Sequence, residues 1–124
     1  MSFLNTSRMD LMERLAMHLK MEVALQAEGF ESDPGVLDKV GRRFIQVNDQ
    51  YFVPHTLQEI VLLGLPYKGT GTQINLRTTY GGLIPASLIR TGTDFVEIIR
   101  YRQEDEEDLR LLIPLNKVIG IEEE

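Results

Sequence analysis

Between Thr72 and Glu122 the chain is written in short apolar–polar alternations separated by turn residues. A period of two places successive side chains on opposite faces of a strand. Ile74 and Leu76 then share one face and Asn75 and Arg77 the other. Gly81-Gly82 turns the chain into a second run, Leu83–Arg90, and Gly92 marks a turn before a third, Asp94–Arg102. After an acidic stretch come Arg110–Leu115 and Val118–Glu122. Five short strands joined by tight turns cannot bury two faces as a flat sheet. Bending them into a barrel closes the core and removes most of the open edge. The expectation for Gln73 to Glu122 is therefore a small, strongly bent, five-stranded antiparallel barrel.

The first third reads differently. Ser7 is suited to cap a helix, with Asp10 three residues on, and Met9, Met12, Ala16, Leu19, Val23 and Ala27 recur at spacings of three and four. The pattern predicts an amphipathic helix from Arg8 to about Glu28, stopped at Gly29. Glu31-Ser32-Asp33-Pro34-Gly35 has turn composition, and Val36–Val40 is too short to assign, a helical turn ending at Gly41 being one reading. Phe44, Ile45 and Val47, then Asn48-Asp49, then Tyr51, Phe52 and Val53 predict a tight hairpin, because Asn and Asp tolerate the positive φ it needs. For Leu57–Leu63 a short helix capped by Thr56 competes with a buried strand, which Ile60-Val61-Leu62-Leu63 favours. Gly64–Thr72 is a connector, and no internal repeat is evident. The expected fold class is α+β in one compact domain: an N-terminal amphipathic helix over residues 1–30, a β-hairpin and buried strand over 36–64, and the barrel over 72–124.

Composition narrows function. With 124 residues, 43% of them hydrophobic, the chain can bury a core unaided. It has no cysteine, which excludes disulfides and thiolate metal sites. The net charge of −6 argues against strong nonspecific binding to nucleic acid. No apolar run approaches the ~20 residues of a membrane span, and no leader segment is visible, so the expected location is cytoplasmic.

The segment Gly82-Leu83-Ile84-Pro85-Ala86-Ser87-Leu88-Ile89-Arg90-Thr91-Gly92-Thr93-Asp94-Phe95-Val96-Glu97-Ile98, followed by Leu112-Ile113-Pro114-Leu115-Asn116-Lys117-Val118-Ile119-Gly120-Ile121, resembles the Sm-like (SH3/Sm-type, LSm/Hfq-like) small β-barrels. It is similar to the small Sm-like proteins of spore-forming Firmicutes, some of them spore-associated. The resemblance covers about fifty residues and, through its Hfq-type members, implies ring assembly. In the RNA-binding members it implies an aromatic with a neighbouring amide, and a Lys-His pair. Phe95 stands at the aromatic position, Asp94 at the amide and Leu115-Asn116 at the Lys-His pair.

Arg42-Arg43, Arg77, Arg90, Arg100 and Arg102 are the candidate basic patch, and Arg77, Arg90 and Arg100, with Tyr80, Phe95 and Tyr101, are the candidate surface for RNA or a partner; cross-strand ion pairing with acids such as Glu97 is the plainer role for the arginines. Met12, Leu15, Leu19 and Val23 are the candidate oligomer interface, or else the stripe that packs on this chain's own sheet. Glu104–Asp108 has no EF-hand spacing and reads as a solvated loop. Gly69-Thr70-Gly71-Thr72 lacks a phosphate loop's Lys-Ser/Thr ending. His18 and His55 have no nucleophile and acid in a triad pattern. The expected function is a non-enzymatic, self-assembling structural or adaptor protein, spore-associated by resemblance, with no cofactor, metal, membrane or small-molecule substrate. The alternative is an Sm-like RNA-binding protein.

Overall fold

The computed structural model describes residues 7–65, 71–101 and 107–123. The connector at 66–70 and most of the acidic run, at 102–106, lie outside the described residues. The helix is much shorter than the sequence spacing predicts. α1 spans Leu11–Ala16, and its N-cap is Asp10, whose side chain accepts from the Glu13 N–H in a capping box. The chain then turns, with Lys20 at φ 70°, and enters β1, Glu22–Ala27. Glu22-Val23-Ala24-Leu25-Gln26-Ala27 satisfies a period of two as well as a helical one. The strand wins because its backbone finds partners on both sides. Gly29 (φ 72°) is the turn into β2, Phe30–Glu31, rather than a helix cap. Val36–Val40, too short to assign from its sequence, lies in β3, Gly35–Val40, and not in a helical turn.

The hairpin forms where expected: β4, Ile45–Val47, and β5, Gln50–Phe52, with Asn48 at φ 53° and Asp49 at φ 61° between them. A 3₁₀ turn at Pro54–Thr56 leads to β6, Glu59–Leu62. Then come β7, Thr72–Thr78, β8, Gly82–Thr91, β9, Phe95–Arg100, and β10, Leu109–Pro114. A second 3₁₀ turn, Leu115–Lys117, precedes β11, Val118–Glu123.

The five-stranded barrel and the α+β class are both overturned. The strands make one open, eleven-stranded antiparallel sheet in the order β11-β7-β8-β9-β10-β6-β1-β3-β4-β5, with β2 on β1. The expected closure was to remove most of the open edge, and the outer side of the fourth C-terminal strand, β10, is one such edge. That edge is instead paired with β6, and the sheet continues through the first half of the chain.

The sheet is a duplication. In the first unit β6 pairs β1, β1 pairs β3, β3 pairs β4 and β4 pairs β5; in the second, β11 pairs β7, then β8, β9 and β10 follow. The registers coincide as well. Leu37↔Val47, Lys39↔Gln46 and Val40↔Ile45, with their bulge, match Leu88↔Ile98, Arg90↔Glu97 and Thr91↔Val96, with theirs, fifty-one residues on. The Gly41 N–H bonds the Phe44 carbonyl as Gly92 bonds Phe95, both at 2.8 Å. Together β2 and β3 correspond to the longer β8. Each unit has its own apolar cluster, with Val23, Leu25, Leu37, Ile45 and Val47 equivalent to Ile74, Leu76, Leu88, Val96 and Ile98.

Candidate functional site

The two units meet where β10 pairs β6, with Leu111 opposite Val61 and Leu112 opposite Ile60. Here the central strands are buried on both faces. Phe95 and Leu112 enter the first cluster, while Val96, Ile98, Leu111 and Ile113 enter the second. A buried carboxylate lies on each side of this joint.

On the side of α1, Glu97 is fully buried. Arg14, from α1, donates to it through Nε at 2.7 Å and a second guanidinium nitrogen at 3.1 Å. Arg110 Nε donates at 2.8 Å, and Arg90 Nε lies 3.3 Å away. Burial alone would push this carboxyl up. The hydrogen bonds and charge of Arg14, then those of Arg110, overcome burial and hold it below its ordinary value. On the other side, Glu59 of β6 is 3% exposed, accepts from the Tyr80 hydroxyl at 2.7 Å and lies 3.4 Å from Arg100. Burial, then the charge of Glu59 and its hydrogen bond, push the Tyr80 hydroxyl far above its ordinary value, so it stays a proton donor to Glu59.

Further polar contacts also cross between the units. His55 Nε2 donates to Asp94 at 2.8 Å, the Leu11 N–H donates to the other Asp94 oxygen at 2.7 Å, and the Asn116 amide donates to the His55 carbonyl at 2.9 Å. His18 is 1% exposed and donates through Nε2 to the Glu22 carbonyl at 2.8 Å, which leaves Nδ1 buried without a hydrogen-bond partner among the described residues. Burial holds its pKa below the ordinary value, and the Arg14 charge adds to that.

The candidate RNA residues do not converge. Arg77 pairs with Glu122 at 3.4 Å on the outer surface, Arg90 belongs to the Glu97 cluster, and Arg100 belongs to the Glu59 cluster. Phe95 is fully buried and presents no ring face to a base. Tyr101 is exposed, and its hydroxyl accepts from the Gln73 amide at 2.7 Å. Of the candidate interface stripe, Met12, Leu15 and Val23 pack in the chain's own first cluster, and Leu19 is exposed. Sequence reasoning missed Glu59 and Arg14, and it read Tyr80 as a ring for stacking rather than as a donor to Glu59. An acid in an otherwise apolar strand, Glu59-Ile60-Val61-Leu62, was the available signal for the first.

Arginine–carboxylate contacts of this kind fix the relative placement of two packed elements. Their oxygens are occupied by partners inside the chain. A solvent-open cleft of about 640 Å³ lies beside Tyr80, with Gln58, Thr79 and Lys117 on its walls. The arrangement defines an all-β chain of two like units locked by buried ion pairs. Searched against protein-family models, curated proteins and solved structures, the chain matches none of them. Among the described residues no helix is long and apolar enough to cross a membrane.

Proposed function

We propose that this chain is a non-enzymatic, self-assembling structural or adaptor protein, in keeping with the resemblance of its last fifty residues. One observation carries the reading: the buried carboxylates Glu59 and Glu97 are engaged by Tyr80, Arg100, Arg14 and Arg110 inside the chain, whereas the outward-facing features are sheet ends with no outer neighbour among the described residues and exposed apolar side chains. Phe44 is 50% exposed, Tyr51 61% and Ile119 63%. Sedimentation velocity on the pure chain across a hundredfold concentration range tests it. Species heavier than the 14.2 kDa chain are expected. A strict monomer that retains no protein in a pull-down from cell extract sinks it.

RNA binding is the second reading, favoured by one part of the expected basic patch, Arg42-Arg43. Lys39, Arg42 and Arg43 are exposed around the rim that also exposes Phe44 and Tyr51, which combines charge with ring faces. Titration with short uridine-rich and adenine-rich RNA at low and physiological salt checks it; no salt-dependent binding ends it.

A further inference from the structure

The duplication gives the two ends of the sheet a specific relation to each other. Within the chain, the fourth strand of the second unit, β10, pairs with the last strand of the first unit, β6. The sheet ends on the other two members of the same set. β5 is the fourth strand of the first unit, β11 is the last strand of the second, and neither has an outer neighbour among the described residues. One end is therefore of the kind that β10 offers, and the other of the kind that β6 offers. We propose that β5 of one copy pairs antiparallel with β11 of the next, repeating between chains the joint that β10 and β6 make within one. This rests on the self-assembly reading above and names its interface.

Register equivalence fixes the pairing. Ile45↔Phe52 corresponds to Val96↔Ile113, so Tyr51 stands where Leu112 does and Gln50 where Leu111 does. Leu25↔Ile60 corresponds to Leu76↔Ile121, so Ile121 stands for Ile60 and Glu122 for Val61. The internal pairs Leu112↔Ile60 and Leu111↔Val61 then predict Tyr51 opposite Ile121 and Gln50 opposite Glu122. Exposure agrees with this. Leu112 is fully buried by the internal joint and α1, while its counterpart Tyr51 is 61% exposed.

The external joint is the weaker of the two. Gln46 replaces the buried Glu97, Gly120 replaces Glu59, and carrying the register one residue on sets Asp49 opposite Glu123, a like-charge pair. Association is thus reversible and is favoured by added salt. The contact is heterologous, with a different surface on each side, so it propagates from copy to copy and closes into a ring only if the rotation between copies permits.

The absence of cysteine makes the test clean. A Gln50→Cys chain is mixed with a Glu122→Cys chain under mild oxidation. Directly opposed residues in an antiparallel pair have Cα atoms ~4.5–5.5 Å apart, within disulfide reach. The mixed disulfide is expected to form at least tenfold faster than with a Leu83→Cys partner, whose exposed thiol lies on β8, away from both edges. A mixed pair no faster than that control overturns the joint, as does a Gln50→Cys chain that cross-links fastest with itself. Absence of cross-linking while the unmodified chain still sediments as an assembly removes this joint alone. A strictly monomeric unmodified chain removes the joint and the self-assembly reading together.

Discussion

The two units share a framework and differ in what covers them. Phe44 and Phe95 occupy equivalent places at the start of equivalent strands, yet one is half exposed and the other fully buried. Gln46 corresponds to Glu97 and Tyr51 to Leu112 in the same way. α1 lies between the two units, with Leu11, Met12 and Leu15 in the first cluster and Arg14 on Glu97 of the second. β10 has β6 along its outer edge, whereas its counterpart β5 has no outer neighbour among the described residues. Burial, and the buried charge that burial makes workable, therefore comes from the neighbour and not from the unit's own sequence.

That difference breaks most sharply at the charge cluster. Glu97→Ala leaves Arg14 buried, and Arg110 partly buried, without their partner and should cost about 3–5 kcal/mol in urea denaturation, while Gln46→Ala should stay within about 0.5 kcal/mol. Equal costs would mean that the joint is not what makes Glu97 important. Next in size, Phe95→Ala should cost about 3–5 kcal/mol, well above Phe44→Ala; similar values for dilute protein would contradict the exposure difference. Tyr80→Phe strips the buried Glu59 carboxylate of a donor, a loss of about 1–3 kcal/mol in thermal melts.

The pH profile sharpens the same comparison. His18 has a folded pKa lowered from 6.5. Above 6.5 it is neutral in both states. As pH falls below 6.5 the unfolded chain takes up the proton first, so stability is lost. Stability measured from pH 7 to 5 should fall less steeply in His18→Gln than in the parent. Glu97 acts lower: its folded value lies below 4.5, so its contribution is present above 4.5 and lost as pH falls through its folded value. The smallest effect belongs to the outer edge. Glu123→Gln should tighten self-association by about 0.2–1 kcal/mol, a few fold in sedimentation, by removing the charge opposite Asp49.

Much of the sheet was legible in the sequence, because the C-terminal strands alternate cleanly and Asn48-Asp49 specifies its turn. The duplication was not. Its two halves share few identities, among them Leu25/Leu76, Leu37/Leu88, Gly41/Gly92, Phe44/Phe95 and Ile60/Ile121. The second unit also inserts ten more residues between its third and fourth strands: Val47 pairs with Gln50, but Ile98 pairs with Leu111. A single fixed offset therefore fails halfway along. The helix was overextended because Val23 and Ala27 satisfy both periods, and only pairing with β3 and β6 decides between them. The arginines were visible as residues, but their partners, Glu59 and Glu97, are brought to them by strand order, which no local pattern encodes.

Hydrogen exchange followed against protein concentration tests the central claim most directly: that the outer edges repeat the inner joint. The amides of Glu59–Leu62 and Leu109–Ile113 should be protected at every concentration. Those of Gln50–Phe52 and Val118–Glu123 should gain protection together as the average mass rises. An increase in mass with both outer strands unchanged would contradict the account.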